Sequence, residues 1–116
     1  MRHLKKGRKL SRKRGQRRAL LKILAGQLVE KEKIITTEAK AKELRSFVER
    51  LISCGKKQNL AALRLLLRRL PKLAAYKIFH ELSPRYLSRK GGYLQIIKQT
   101  KRRKHDASKM AMIKFV

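Results

Sequence analysis

Residues 1–22, MRHLKKGRKLSRKRGQRRALLK, carry eleven lysines and arginines and no carboxylate. Each arginine can fork two hydrogen bonds to a phosphate, and each lysine adds a point charge beside it. Arg2, Lys5, Lys6, Arg8, Lys9, Arg12, Lys13, Arg14, Arg17 and Arg18 thus form a basic arm running into a helix. A charged stretch is often only a solvated face, but such a face normally mixes signs and gains from internal ion pairs, which a run without acid cannot. Gly7 and Gly15 let the backbone bend toward a strand or simply give it mobility. Further along, SPRYLSRKGGY sets Arg85, Arg89 and Lys90 around Tyr86 and Tyr93, and Gly91 and Gly92 allow close backbone approach. Tyr86 could stack on a base, and a core place for either ring is at least as good a reading. Lys101, Arg102, Arg103 and Lys104 lie between two predicted strands, as a hairpin tip that could enter a phosphate-lined groove or as a mobile loop.

Groups that move protons or attack are scarce. His3, His80 and His105 are far apart in sequence, and Asp106 is the only aspartate. No paired-carboxylate motif, phosphate loop or nucleophile elbow is present, and neither the histidines nor the single Cys54 have zinc-ligand spacing. The chain reads as no enzyme, with no catalytic residue, metal, cofactor or small-molecule substrate. Cys54 reads as a small core filler and His80 as a structural residue near a helix end.

With 116 residues and 42% apolar side chains, the chain is long enough for one real core, so 1–116 reads as a single domain with residues 1–14 as its arm. Lysine and arginine number 34 against 7 acids, a formal charge of +27. Self-repulsion on that scale calls for a polyanion. Residues 23–55 hold six basic and five acidic groups, whereas 56–90 hold ten against one and 91–116 seven against one. Charge spread over separate segments suits a folded surface touching phosphates from several directions. A membrane-surface helix would concentrate it on one face. No homeodomain, zinc-finger or basic-zipper spacing supports reading of a DNA sequence, and DNA compaction is the alternative that the charge alone leaves open. No apolar run long enough for a signal peptide or membrane span follows the basic start, so the chain reads as cytoplasmic.

The elements that must position these residues follow from periodicity. Ala19, Leu20, Ile23, Leu24, Leu28 and Val29 predict a first helix starting near Ser11, whose hydroxyl would cap it. Ile34 to Thr37 suit a short strand. Thr37 would cap a second helix with Ala41, Leu44, Val48, Leu51 and Ile52 inward, Glu38 and Lys42 spaced as an ion pair, and Gly55 as the stop. Asn59 would cap a third helix with Leu60, Leu63, Leu66, Leu67 and Leu70 inward and Arg64 and Arg68 outward. Pro71 ends it and opens a fourth helix, which Ser83-Pro84 breaks. Strands are predicted at 93–99 and in MAMIKFV, where Ala111, Ile113 and Phe115 alternate with Met110, Met112 and Lys114. The expected fold is α+β (mixed α/β): about four helices packed on a small three-stranded sheet.

Met1-Arg2-His3, Gly7-Arg8 with Leu10 and Arg12, Ala25-Gly26, Ile34, Thr36-Thr37, the run KAKELR from Lys40 to Arg45, Pro84-Arg85, Arg89 with Gly91-Gly92-Tyr93, and Met110-Ala111 together resemble the bacterial large-subunit ribosomal protein seventeen family. The match runs through essentially the whole chain in one register. The resemblance implies a mixed α/β structural constituent of the large ribosomal subunit, supporting assembly and translation. It also implies binding to large-subunit ribosomal RNA near the outer end of the peptide exit tunnel, with neighbouring large-subunit ribosomal proteins as further partners and no cofactor. It places Arg2, His3, Lys5, Arg8, Arg12, Arg17, Arg45, Arg85, Arg89 and Tyr93 at or near RNA. Gln16, where the family commonly has His, His105-Asp106 for Gly-Asp, Lys109 for Pro and Lys114 for Glu depart from the pattern.

Overall fold

The structure is a computed structural model and describes residues 7–116. Helix α1 spans Arg14–Lys31 and strand β1 Lys33–Thr37; helix α2 spans Glu38–Gly55 and α3 Leu60–Arg69. The fourth helix, α4, is continuous through three stretches, Lys72–Lys77, a π-helical turn Ile78–Leu82, and Ser83–Arg85. Strands β2 (Leu94–Arg102) and β3 (Lys109–Phe115) follow. The sheet is antiparallel in the order β1-β3-β2, with Ile34 opposite Ile113 and Ile96 opposite the same residue from the other side. The register shifts between Lys98 and Arg102, where β2 carries extra residues. Four helices on a three-stranded sheet is the α+β architecture expected.

One apolar cluster joins every element. Ala41, Leu44, Val48, Leu51 and Ile52 of α2, all buried, lie between the sheet and the remaining helices, as their spacing predicts. The β3 alternation also holds: Ala111, Ile113 and Phe115 are buried, and Met110, Met112 and Lys114 are only partly covered. Asn59 caps α3 through its Oδ1, which accepts from the Ala62 backbone N–H at 2.8 Å.

Several local expectations are corrected. Ser11 does not cap α1. Leu10 and Ser11 both take φ +54 in a turn closed by Arg12 N–H donating to the Lys9 carbonyl at 3.1 Å, and the helix begins at Arg14 without a side-chain cap. Thr37 precedes α2 but makes no side-chain cap bond either. Leu60 is 60% exposed and its inward place is taken by Ala62, because the cap geometry turns the first residue of α3 outward. Ser83-Pro84 does not break α4. The wide π turn ahead of it alters the pattern of carbonyl acceptors, so a residue lacking an N–H fits without ending the helix. His80 sits within that turn, exposed, its ring stacked on Tyr76 at 6.0 Å. Cys54 is a free thiol and only partly buried.

Two glycines mark close approaches. A Cβ on Gly26 would lie 2.9 Å from Cγ of Pro71, so α1 can meet the start of α4 only without a side chain there. A Cβ on Gly55 would lie 2.3 Å from Oγ of Ser83. Gly55 is therefore needed because α4 crosses at that point, and it forms no left-handed cap: it is the last residue of α2, and Lys56 after it is right-handed.

Candidate nucleic-acid interface

The expected contacts at Arg2, His3, Lys5 and Lys6 lie outside the described residues. From Gly7 onward the arm is tied to α2. The Arg8 N–H donates to Oε2 of Glu43 at 3.2 Å and its guanidinium lies 3.6 Å from the same oxygen. Arg12 donates to the Leu10 carbonyl at 2.8 Å and Arg17 to the Arg12 carbonyl at 3.1 Å, so these two guanidinium groups hold the turn as well as presenting charge. Lys9, Lys13 and Arg14 are exposed.

Arm and hairpin come together. Arg8, Lys42 and Lys109 line one open cleft with Thr37, Glu38, Ala39 and Ser108. Glu38 in its wall pairs with Lys42 at 3.0 Å and with Lys98 at 3.7 Å. The hydrogen bond from Lys42 holds the Glu38 carboxyl below the usual range, and the charges of Lys42, Lys98 and Lys109 add to it. The hairpin tip is pinned from within: Arg103 donates from Nε and Nη2 to Asp106 at 3.0 and 2.5 Å, and Asp106 also accepts from the Ser108 N–H at 3.1 Å. These bonds hold the Asp106 carboxyl well below the usual carboxylate range. Lys101, Arg102 and Lys104 are exposed around this fastened loop.

A second group forms on the helices. Arg14, Arg18 and Lys22 recur every fourth residue of α1, Arg64 and Arg68 do so on α3, and Arg18, Lys22, Arg68 and Arg69 line a common cleft. Arg45 is partly drawn into a pair with Glu49, 3.7 Å away on the same helix.

The segment around the paired glycines divides in two. Arg85 pairs with Glu32 at 2.6 Å, bridging the end of α4 to the residue that follows α1. Arg89, Lys90, Gly91 and Gly92 are exposed; no heavy atom lies within 4 Å of where a Cβ would stand on either glycine, and Gly92 takes φ +65. The two tyrosines face inward, which corrects the base-stacking reading. Tyr86 is 5% and Tyr93 1% exposed, their ring centroids 5.3 Å apart. Tyr86 donates its hydroxyl to the Val116 carbonyl at 2.8 Å, and the Tyr93 hydroxyl accepts from Lys56 at 2.9 Å. Lys56 also donates to the Arg89 carbonyl. The Lys56 hydrogen bond, helped by Ser53, pulls the Tyr93 phenol below its usual value. Both rings are thus core residues that hold the Gly-Gly loop in place, and no base can reach their faces in this fold.

Among the described residues, no group of three or more His, Cys, Asp or Glu is placed to hold a metal, and no helix is long and apolar enough to cross a membrane. As interface residues, Lys22, Arg69, Lys98 and Lys109 were passed over in the sequence, whereas Lys42 was read there only as the partner of Glu38. Lys22 had a signal, since it continues the four-residue spacing of Arg14 and Arg18, whereas Lys98 and Lys109 reach the Glu38 cleft only through strand pairing.

A family model described as ribosomal protein L17 matches residues 20–116. This chain belongs to the ribosomal protein L17 family. The large ribosomal subunit protein bL17 of Thermus thermophilus is 44% identical over 117 aligned residues, covering all of this chain and 99% of its own. The proteins of the same name from Hydrogenobaculum and Gemmatimonas aurantiaca are 48% and 49% identical, covering all of this chain and 99% and 98% of theirs. L17-family proteins are structural constituents of the large subunit of the cytoplasmic ribosome, not enzymes.

Proposed function

We propose that this L17-family chain acts over residues 1–116 as one RNA-binding unit that helps to assemble and stabilise the large subunit. It binds large-subunit ribosomal RNA near the outer end of the peptide exit tunnel, with other large-subunit proteins as neighbours. The arm, the α1 and α3 stripes, the exposed Arg89-to-Gly92 loop and the hairpin tip are its RNA-facing parts. Tyr86 and Tyr93 support the loop from below. The observation that carries this reading is the partition of charge. Glu32, Glu38, Glu43, Glu49 and Asp106 are each engaged by nearby cations, while Arg14, Arg18, Lys22, Arg64, Arg68, Arg69, Lys101 and Lys104 are exposed and form no ion pair among the described residues. Most of the carboxylates act as internal fasteners, and the cations left over point outward for phosphate. Segment 23–55, nearly neutral and holding β1 and α2, is the part that faces protein neighbours, and crosslinks from it go mainly to protein.

Binding to a transcript of large-subunit ribosomal RNA tests the reading. With about six to ten phosphates neutralised, raising salt from about 50 to 200 mM weakens affinity roughly a thousandfold or more. A curve flat across that range overturns it. Equal affinity for duplex DNA in competition would instead assign the chain to DNA compaction. Sedimentation with the large subunit, abolished by nuclease, is the expected cellular counterpart.

A further inference from the structure

Arg18 and Lys22 on α1 face Arg68 and Arg69 on α3 across a cleft of about 440 Å³ floored by Leu21 and Phe47 of α1 and α2. None of the lining residues is acidic, and ion pairs among the described residues go to other cations: Arg8, Lys42, Arg45, Lys77, Arg85, Lys98 and Arg103. Like charges four residues apart on a helix oppose its formation. Here they recur on both walls, as Arg14, Arg18 and Lys22 on one and Arg64 and Arg68 on the other. The half-buried, apolar floor withholds water from beneath them and focuses their field into the gap.

We propose that this cleft seats the sugar-phosphate backbone of one RNA strand, gripped by Arg18 and Lys22 from one wall and by Arg68 and Arg69 from the other. The inference rests on the RNA-binding reading above and adds to it a specific seat, with Lys22 and Arg69 as phosphate ligands. Arg18 and Lys22 are separated by about 6 Å of helix rise, so the wall offers its charge along the length of a strand laid in the cleft rather than at one point. A uniformly charged strand can satisfy both walls along its length. An acidic peptide would bring side chains needing pockets of their own, and the floor offers only Leu21 and Phe47.

The test compares full-length Arg18→Gln/Lys22→Gln and Arg68→Gln/Arg69→Gln with Arg50→Gln/Lys57→Gln, two exposed cations outside the cleft, on a transcript of large-subunit ribosomal RNA. Each cleft pair lowers the slope of log affinity against log salt by about two, while the outside pair leaves it unchanged. Arg68→Lys/Arg69→Lys keeps the slope and loses only affinity. Because the four side chains are exposed and mutually repelling, both cleft variants melt at or above the parent temperature, which separates a lost contact from a lost fold. Parental slopes in the cleft variants, with the parent still binding, overturn the cleft and leave the RNA reading standing, as does an equal drop in the outside pair. Loss of binding to polyglutamate with RNA binding intact assigns the cleft to an acidic protein segment instead. A parent that ignores the transcript overturns both readings.

Discussion

At the scale of single residues, the most exacting positions are those where two helices touch. Adding a methyl group at Gly55 drives it into the Ser83 hydroxyl, whose Oγ would be 2.3 Å away and already donates to the Ile52 carbonyl. Gly55→Ala therefore costs about 1–3 kcal/mol in urea denaturation. Adding Ser83→Ala recovers part of that loss, because Oγ is nearer than the Ser83 Cβ at 3.3 Å. Glu32 yields a pH prediction. The Arg85 hydrogen bond, reinforced by the charges of Arg85 and Lys77 and opposed by partial burial, holds its carboxyl below the ordinary glutamate value in the folded state. A depressed acid stabilises the fold above its unfolded value, and that contribution disappears as pH falls through the folded one. Acid titration of the parent thus shows a loss below the ordinary glutamate range that Glu32→Gln lacks. Its size is at most about 1 kcal/mol, because both partners are more than a third exposed and solvent screens the pair.

At the scale of elements, α3 depends on its cap. Asn59→Ala removes the only side-chain acceptor at its start and lowers unfolding free energy by about 1 kcal/mol, measurable as a lower melting temperature. In the hairpin, Asp106→Ala releases Arg103 and the Ser108 N–H together, so amide exchange at Ala107 and Ser108 rises while the core amides hold their protection. These elements also show what a sequence can reveal. The buried stripe of α2, the Asn59 cap, the Glu38-to-Lys42 pair and the β3 alternation were legible because each depends on near neighbours and a fixed period. The failure of Ser83-Pro84 to break α4 was not legible, since a π turn upstream is a response to packing. Nor was the fate of the tyrosines. Tyr86 and Tyr93 sit among arginines in sequence, and only the meeting of α4, α2 and the sheet turns them inward. The basic surface was legible residue by residue, but its division into fastened and free cations depends on Glu32, Glu38 and Glu43 finding partners on other elements.

At the scale of the whole molecule, the excess charge makes stability and binding respond oppositely to salt. Screening relieves self-repulsion, so the free protein melts at higher temperature as sodium chloride rises from about 0.05 to 0.5 M, whereas its complex with RNA weakens over the same range. A melting temperature that falls with salt in the free protein would contradict this account of its surface. The strand order has a consequence of another kind. The strand at the centre of the sheet, β3, is translated after both of its partners, and among the described residues neither β1 nor β2 has any other strand beside it. A copy still being synthesised therefore carries two lone strands that cannot pair until β3 has emerged. Of the three strands, vectorial synthesis thus delivers last the one that closes the sheet, and a copy whose translation stops short of Lys109 lacks the seam on which β1 and β2 assemble.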